Sequence, residues 1–367
     1  MNKELIITSS PQYNESSTTT SIMWAVTICL LPAAAWGVYV FGWYALFVML
    51  VSVAAAVLTE AGIAQWLRRG VTITDGSAVL TGLLVGMNMP PEIPWYIPVF
   101  ASVFAIAVVK WSFGGLGNNW MNPALAGRVF VFFSWTGPMT TWKMPRTLPL
   151  PADATSAATP LGAAKAGLAE GAGGASGPLE YLGQSGYPVT AADSSAAGWL
   201  NDTLLNPLGI ELPTGYIDAF LGNIPGSIGE VSAVLLLLGS IYLIGREIVR
   251  WEVPAAYFTV FAVFTWAFAG LDYGAGFFTG DVLFHIFTGG FMLGIFYMAS
   301  DMASSPMTTK GLLIYGAGAG FLTFLIRIYG SFPEGVSLAI LLMNVFVPMI
   351  DRYTKPKRFG VSPEGAS

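Results

Sequence analysis

Long apolar runs, separated by short polar stretches, constrain this chain more than any other feature. Ten segments qualify as candidate spans: 22–42, 43–66, 77–90, 95–113, 122–136, 228–249, 252–271, 281–300, 309–329 and 335–351. Crossing a bilayer takes about 20 apolar residues, because the hydrocarbon core is about 30 Å thick. Backbone groups in lipid must be satisfied internally, so runs of this length are predicted to be helices. The third and fifth are short and broken. One ends in Met89-Pro90-Pro91 and the other starts at Asn122-Pro123, where proline suits the first turn of a helix. Charged residues make up 10% of the chain, against about a quarter in soluble domains, so lipid is the solvent for most of it. The polar leader before Ile22 and the length of the first run point to a retained helix rather than a signal peptide.

The rare residues exclude several chemistries. Cys29 is the single cysteine and His285 the single histidine. An internal disulfide, a four-cysteine iron–sulfur cluster and a bis-histidine haem are therefore impossible within this chain. No basic cluster of the nucleic-acid-binding kind is present. Redox chemistry, if any, requires an organic cofactor or a partner.

Charge placement sets an orientation. With the N-terminus in the cytoplasm, that side holds Lys3, Arg68, Arg69, Lys110, Arg246, Arg250, Lys310, Arg352, Lys355, Lys357 and Arg358, eleven in all. The long loop on the other side holds three: Lys143, Arg146 and Lys165. The positive-inside rule favours this arrangement, with both termini cytoplasmic and an even number of spans.

The chain also resembles itself. Val109-Lys110-Trp111-Ser112-Phe113-Gly114 is similar to Ile326-Arg327-Ile328-Tyr329-Gly330, and each precedes a helix bearing an asparagine, Asn122 or Asn344. Five helices per half is odd, so the repeats would be inverted, an arrangement that places sites near the midplane at broken helices. The predicted fold class is thus an all-α membrane protein of about ten transmembrane helices in two inverted five-helix repeats. The organisation is a leader (1–21), a first repeat (22–136), an extracytoplasmic loop (137–227), a second repeat (228–351) and a cytoplasmic tail (352–367). The loop is rich in Ala, Gly, Pro, Ser and Thr, and Gly167–Gly177 is low-complexity and expected to be mobile.

Within that loop, Asp153-Ala154-Thr155-Ser156-Ala157-Ala158-Thr159-Pro160-Leu161 resembles the sequence at which some proteins carry FMN as a phosphoester of threonine. Asp153, Ser156, Ala158 and Thr159 match, while Ala157 replaces the usual Gly. By itself the stretch reads better as an Ala/Thr-rich linker. A threonine hydroxyl is a weak nucleophile without a base, so a separate flavin transferase would have to act on it, which calls for an accessible, extendable segment.

The setting gives the motif its weight. Ser77-Ala78-Val79-Leu80-Thr81-Gly82, Met121-Asn122-Pro123-Ala124, His285-Ile286-Phe287-Thr288-Gly289-Gly290, Ala299-Ser300-Asp301-Met302, Pro333-Glu334-Gly335-Val336 and Asn344-Val345-Phe346-Val347-Pro348 occur in order along the chain. With them the chain resembles the D subunit of the Rnf complex and, more distantly, the B subunit of the sodium-pumping NADH:quinone oxidoreductase. The resemblance implies a ferredoxin:NAD oxidoreductase complex coupled to ion movement, with covalent FMN at Thr159 on the outer side. It also implies a second, non-covalent flavin (riboflavin) between the helices, and partner subunits that carry iron–sulfur clusters and flavins. This chain lacks a cysteine cluster and a G-x-G-x-x-G after a strand, so those partners would hold the ferredoxin and NAD sites.

Other polar residues carry two readings each. Asn118, Asn119, Asn122 and Arg128 could hold flavin edges or a phosphate at a helix start, or simply cap and tie the loop. Glu60, Asp75, Glu230, Asp281 and Asp301 lie in or beside apolar runs and are read mostly as interfacial. His285 fits a hydrogen-bonded packing histidine better than a proton relay. Two rival functions remain: a small-solute transporter or channel without redox chemistry, and a membrane anchor for a soluble partner.

Overall fold

The computed structural model describes residues 18–68, 73–148, 158–170, 174–208, 212–230, 232–330, 332 and 334–355. Regular structure there is helical, with no β-strand among the described residues. The first half contains α1 (Thr19–Phe41), α2 (Trp43–Trp66), α3 (Ser77–Met87), α4 (Tyr96–Val103) running into a π-helical stretch (Phe104–Lys110), α5 (Pro123–Ser134) and a short α6 (Thr136–Met139). The loop contains α7 (Pro160–Glu170), α8 (Pro178–Gln184), α9 (Ala191–Leu200) and α10 (Tyr216–Leu221). The second half contains α11 (Ala233–Gly245), α12 (Glu252–Phe268), α13 (Val282–Phe287), α14 (Phe291–Leu293), a π-helical turn (Gly294–Met298), α15 (Thr309–Ile328) and α16 (Val336–Thr354).

Every predicted span contains helix, and five helices are long and apolar enough to cross a membrane among the described residues: 19–41, 43–66, 252–271, 309–328 and 336–354. Two further spans are interrupted beyond the two expected. Residues 228–230 are not helical, so α11 starts only at Ala233. Instead, Ile228 N–H donates to Met89 O at 3.1 Å and Gly229 N–H to Met87 O at 2.8 Å. These bonds satisfy carbonyls at the end of α3 that have no helical partner of their own, which is how a half-length helix is tolerated inside a bundle. The run 281–300 breaks at Thr288-Gly289-Gly290, where Gly289 has φ +68°, a left-handed conformation that glycine adopts without penalty.

Packing relies on close backbone approach. A Cβ on Gly316 would lie 2.6 Å from Val253 O, and one on Gly320 2.4 Å from Tyr257 O, so α12 and α15 touch at their backbones. Small residues serve this purpose in membrane bundles, where lipid gives apolar side chains no reason to seek each other. Around the outside, Trp43 and Trp66 close the two ends of α2 at 75% and 82% exposure, as expected of an aromatic belt.

The described ends of the chain lie at one end of the bundle. Thr19, Lys110 and Asp301 line one cavity there, and Thr354 near the end of α16 bonds Thr308 at 2.8 Å. The loop lies at the other end, where Lys165 meets the C-terminal turn of α15. Lys110 and Arg327, the basic residues of the two matched segments, are therefore at opposite ends.

The loop carries helices, and α7 takes in the first residues of the low-complexity stretch, whose residues 171–173 lie outside the described residues. Gly167 and the residues up to Glu170 belong to α7, and Gly167 packs under the Tyr181 ring, where a Cβ would lie 2.1 Å from Cζ. The physical reason is alanine, the strongest helix former, together with the apolar cluster of Leu161, Ala164, Leu179, Leu182 and Phe284 that docks α7 and α8 onto α13.

Candidate functional site

Thr159 stands immediately before α7, with Pro160 at the helix start. Its Oγ1 accepts from Gly162 N–H at 3.1 Å, and its carbonyl accepts from Ala163 N–H at 2.8 Å. This is the N-cap arrangement of a threonine. The side chain is buried, at 6% exposure. The accessible, extendable segment expected from the sequence is thus docked at Thr159, because the apolar face of α7 is seated on the bundle. Asp153 and Ser156 lie outside the described residues. Tyr187 hydroxyl donates to Ala158 O at 3.0 Å and closes the segment from the side.

Lys165 fixes α7 to the bundle. Its Nζ donates to Arg327 O at 3.0 Å, to Phe332 O at 3.3 Å and to Gly330 O. These are carbonyls at and beyond the end of α15, and a cation there also suits the helix dipole. Burial lowers the Lys165 pKa, with Asp272 opposing the shift. Lys165→Met is expected to leave those carbonyls without a donor, a loss of about 1–3 kcal/mol, and to loosen α7. Hydrogen exchange of the α7 amides should then accelerate while α15 stays protected; unchanged α7 protection would contradict this role.

The remaining site residues separate. Asn122 caps α5: its Oδ1 accepts from Ala124 N at 3.0 Å and Leu125 N at 3.2 Å, and its Nδ2 donates to Met298 O at 3.1 Å across to the second half. Asn119 is buried with an unpartnered Oδ1, whereas Asn118 is exposed. Arg128 is elsewhere. Its guanidinium pairs with Glu230 at 2.8 Å and Glu334 at 2.5 Å, and donates to Asn88 Oδ1 and Ser337 Oγ, each at 2.9 Å. Arg128 is thus a clamp between the halves, and the structure does not bring it together with Asn118 and Asn122.

Three readings of charge need correction. Glu230 is buried in that clamp rather than interfacial. Glu60 is likewise interior: it pairs with Lys110 at 2.6 Å, with both side chains at 2% exposure or less. Lys110 is therefore enclosed by the bundle rather than exposed at its end, and it also donates to Ser77 Oγ at 2.6 Å. Charges in lipid must find partners, and these are supplied by helices distant in sequence, which periodicity alone cannot pair. His285 is buried, but its Nδ1 has no hydrogen-bond partner. Its carbonyl accepts from Arg327 Nη1. The Arg327 guanidinium lies 5.5 Å from the Phe261 ring centroid and 5.9 Å from that of Phe291, which gives it cation–π support in a desolvated setting.

Between the halves, at the end away from the loop, is a cavity of about 320 Å³. Its walls are mainly apolar, and Thr81, Lys110, Asn119, Asn122, Tyr297 and Asp301 bring polar groups to it. Apolar walls with a few convergent polar groups are the usual make-up of a cofactor or small-molecule site, and the volume is at the low end of the usual range of about 300–1,000 Å³.

The comparisons with known proteins agree on one family. The model of the NQR2, RnfD, RnfE family matches residues 6–360. The D subunit of the proton-translocating ferredoxin:NAD(+) oxidoreductase complex of Clostridium ljungdahlii is 42% identical over 354 residues, covering 96% of each chain. The D subunit of the Na(+)-translocating ferredoxin:NAD(+) oxidoreductase complex of Acetobacterium woodii is 42% identical over 359 residues, covering 98% of this chain and 96% of that one. The D subunit of the ion-translocating oxidoreductase complex of Stutzerimonas stutzeri is 37% identical over 361 residues, covering 94% of this chain and 93% of that one. The chain belongs to the NQR2, RnfD, RnfE family.

Proposed function

We propose that this chain is a multi-pass membrane subunit of an ion-translocating ferredoxin:NAD oxidoreductase complex, and that it carries FMN esterified through its phosphate to Thr159. The names of relatives matching nearly the whole chain support the first part. The second rests on one observation, the position of Thr159 at the start of α7. A helix N-terminus presents free N–H groups and a positive dipole end, which suit a phosphate. Gly162 N–H already points at Thr159 Oγ1 and would hold a phosphate oxygen in its place. When bound, the flavin supplies the electron transfer, and the protein supplies its position and electrostatic surroundings.

The 320 Å³ cavity suits the non-covalent flavin, riboflavin, that the resemblance implies. The unpartnered Oδ1 of Asn119 is a buried acceptor waiting for a donor, and Asn122 and Asp301 add further polar groups beside apolar walls. We place the loop on the outer face of a bacterial inner membrane, with both termini cytoplasmic. Removing Lys110 from the cytoplasmic tally leaves the charge asymmetry that supports this orientation. Other subunits of the complex supply the iron–sulfur, ferredoxin and NAD sites, and a flavin transferase loads Thr159. Because the threonine is buried in the docked loop, transfer must precede docking of α7 or act on an opened loop.

In-gel fluorescence tests this directly. The denatured chain, co-expressed with its transferase, should glow yellow-green, and Thr159→Ala should be dark. A dark wild-type chain would favour a solute transporter, which would share the broken helices and leave Thr159 bare.

A further inference from the structure

A second cavity opens beside Thr159. Its volume is about 140 Å³, and Pro160, Leu182, Tyr187, Ile224, Phe284 and Thr288 contribute to its walls. Pro160 follows Thr159 in the chain, and the Tyr187 hydroxyl touches the Ala158 carbonyl at 3.0 Å. Thr159 is therefore flanked in the chain by one residue that lines the cavity and one that is bonded to its wall. Leu182 and Phe284 are buried, at 3% and 1% exposure. Among the described residues, the one carboxylate at the cavity, Asp218, is engaged elsewhere: it accepts from Thr190 N and Thr190 Oγ1, both at 2.7 Å. Burial raises the Tyr187 pKa, so its phenol stays a neutral donor. What the cavity offers is mainly apolar and aromatic surface.

Size narrows the occupant. A pocket for a whole ligand of this kind measures about 300–1,000 Å³, so 140 Å³ admits part of one. Resting on the reading of Thr159 as the attachment residue, we propose that this cavity receives the dimethylbenzene edge of the tethered flavin's isoalloxazine ring, with Tyr187 and Phe284 as its aromatic walls. The apolar edge of the ring is then dry, and the polar pyrimidine edge faces the cavity mouth. Phe284 belongs to α13, the outer piece of the broken helix, so the ring is held against the membrane bundle itself.

Gly183 provides the test. It contributes to the cavity, and a Cβ built on it meets nothing within 4 Å, so the backbone accepts a larger side chain at the cavity rim, and Gly183→Leu is expected to crowd the mouth within a helix that favours leucine over glycine. Tyr187→Leu is the second variant, for use if the first fails to assemble. In the assembled complex, covalent flavin is measured on denaturing gels. Native flavin fluorescence and the midpoint potential of that flavin are then measured on the same preparations. The expected result is undiminished covalent flavin with a several-fold rise in native fluorescence and a shifted potential. Full covalent flavin with native fluorescence and potential unchanged in both variants would overturn the cavity assignment and leave Thr159 intact as the attachment residue. No covalent flavin on the wild-type chain would overturn both.

Discussion

Arg128→Met is expected to be the most destabilising single substitution in the bundle, at about 3–5 kcal/mol. Arg128 sits in the first half of the chain with Asn88, while Glu230, Glu334 and Ser337 sit in the second. Removing the guanidinium leaves two carboxylates facing each other with little water to screen them, and it unsatisfies Asn88 and Ser337 as well. Most of the loss is the cost of stranded charge and not the net worth of the ion pairs. The double variant Arg128→Met with Glu230→Gln should therefore recover part of it, since one stranded carboxylate becomes a neutral amide. Thermal stability of the detergent-solubilised complex, followed by size-exclusion chromatography after heating, is the measurement. A single variant as stable as wild type would show that the clamp does not hold the halves together.

Thr159→Ala is expected to separate stability from function. The cap costs about 0.5–2 kcal/mol to remove, which a helix held by Lys165 and the Leu161–Phe284 cluster should withstand. Assembly of the complex should therefore persist. On the reading proposed above, ferredoxin-dependent NAD reduction coupled to the membrane should fall to background, because the 320 Å³ cavity assigned to the second flavin lies at the end of the bundle away from Thr159 and a flavin there does not take the tethered one's place. Retained coupled turnover in a fully assembled Thr159→Ala complex would remove the flavin from the electron path. Loss of assembly would show that the cap matters more for folding than its magnitude allows.

The spans were legible because lipid imposes a length and a composition on a helix, and each of the ten runs holds a helix. Asn122-Pro123 was legible too, since an asparagine cap and a proline in the first turn are local chemistry. The partners of buried charge were not. Glu60 and Lys110 are 50 residues apart and Arg128 and Glu334 are 206 apart, and no local pattern joins them. A usable signal existed: Lys110, Arg128, Glu60 and Glu230 all interrupt or border apolar runs, and residues of opposite sign in that position must find each other. The helices of the loop are harder to read, because the glycines around them hide the alanines that form α7 and because what Leu161 and Leu182 bury lies on α13, far along the chain.

Mass spectrometry of the proteolytic peptide that contains Thr159, taken from the natively assembled complex, is the most direct measurement. The expected result is a peptide heavier by the mass of FMN minus one water, with fragment ions placing the addition on Thr159. An unmodified peptide recovered in full yield from an active complex would contradict the assignment and remove the covalent flavin from this subunit.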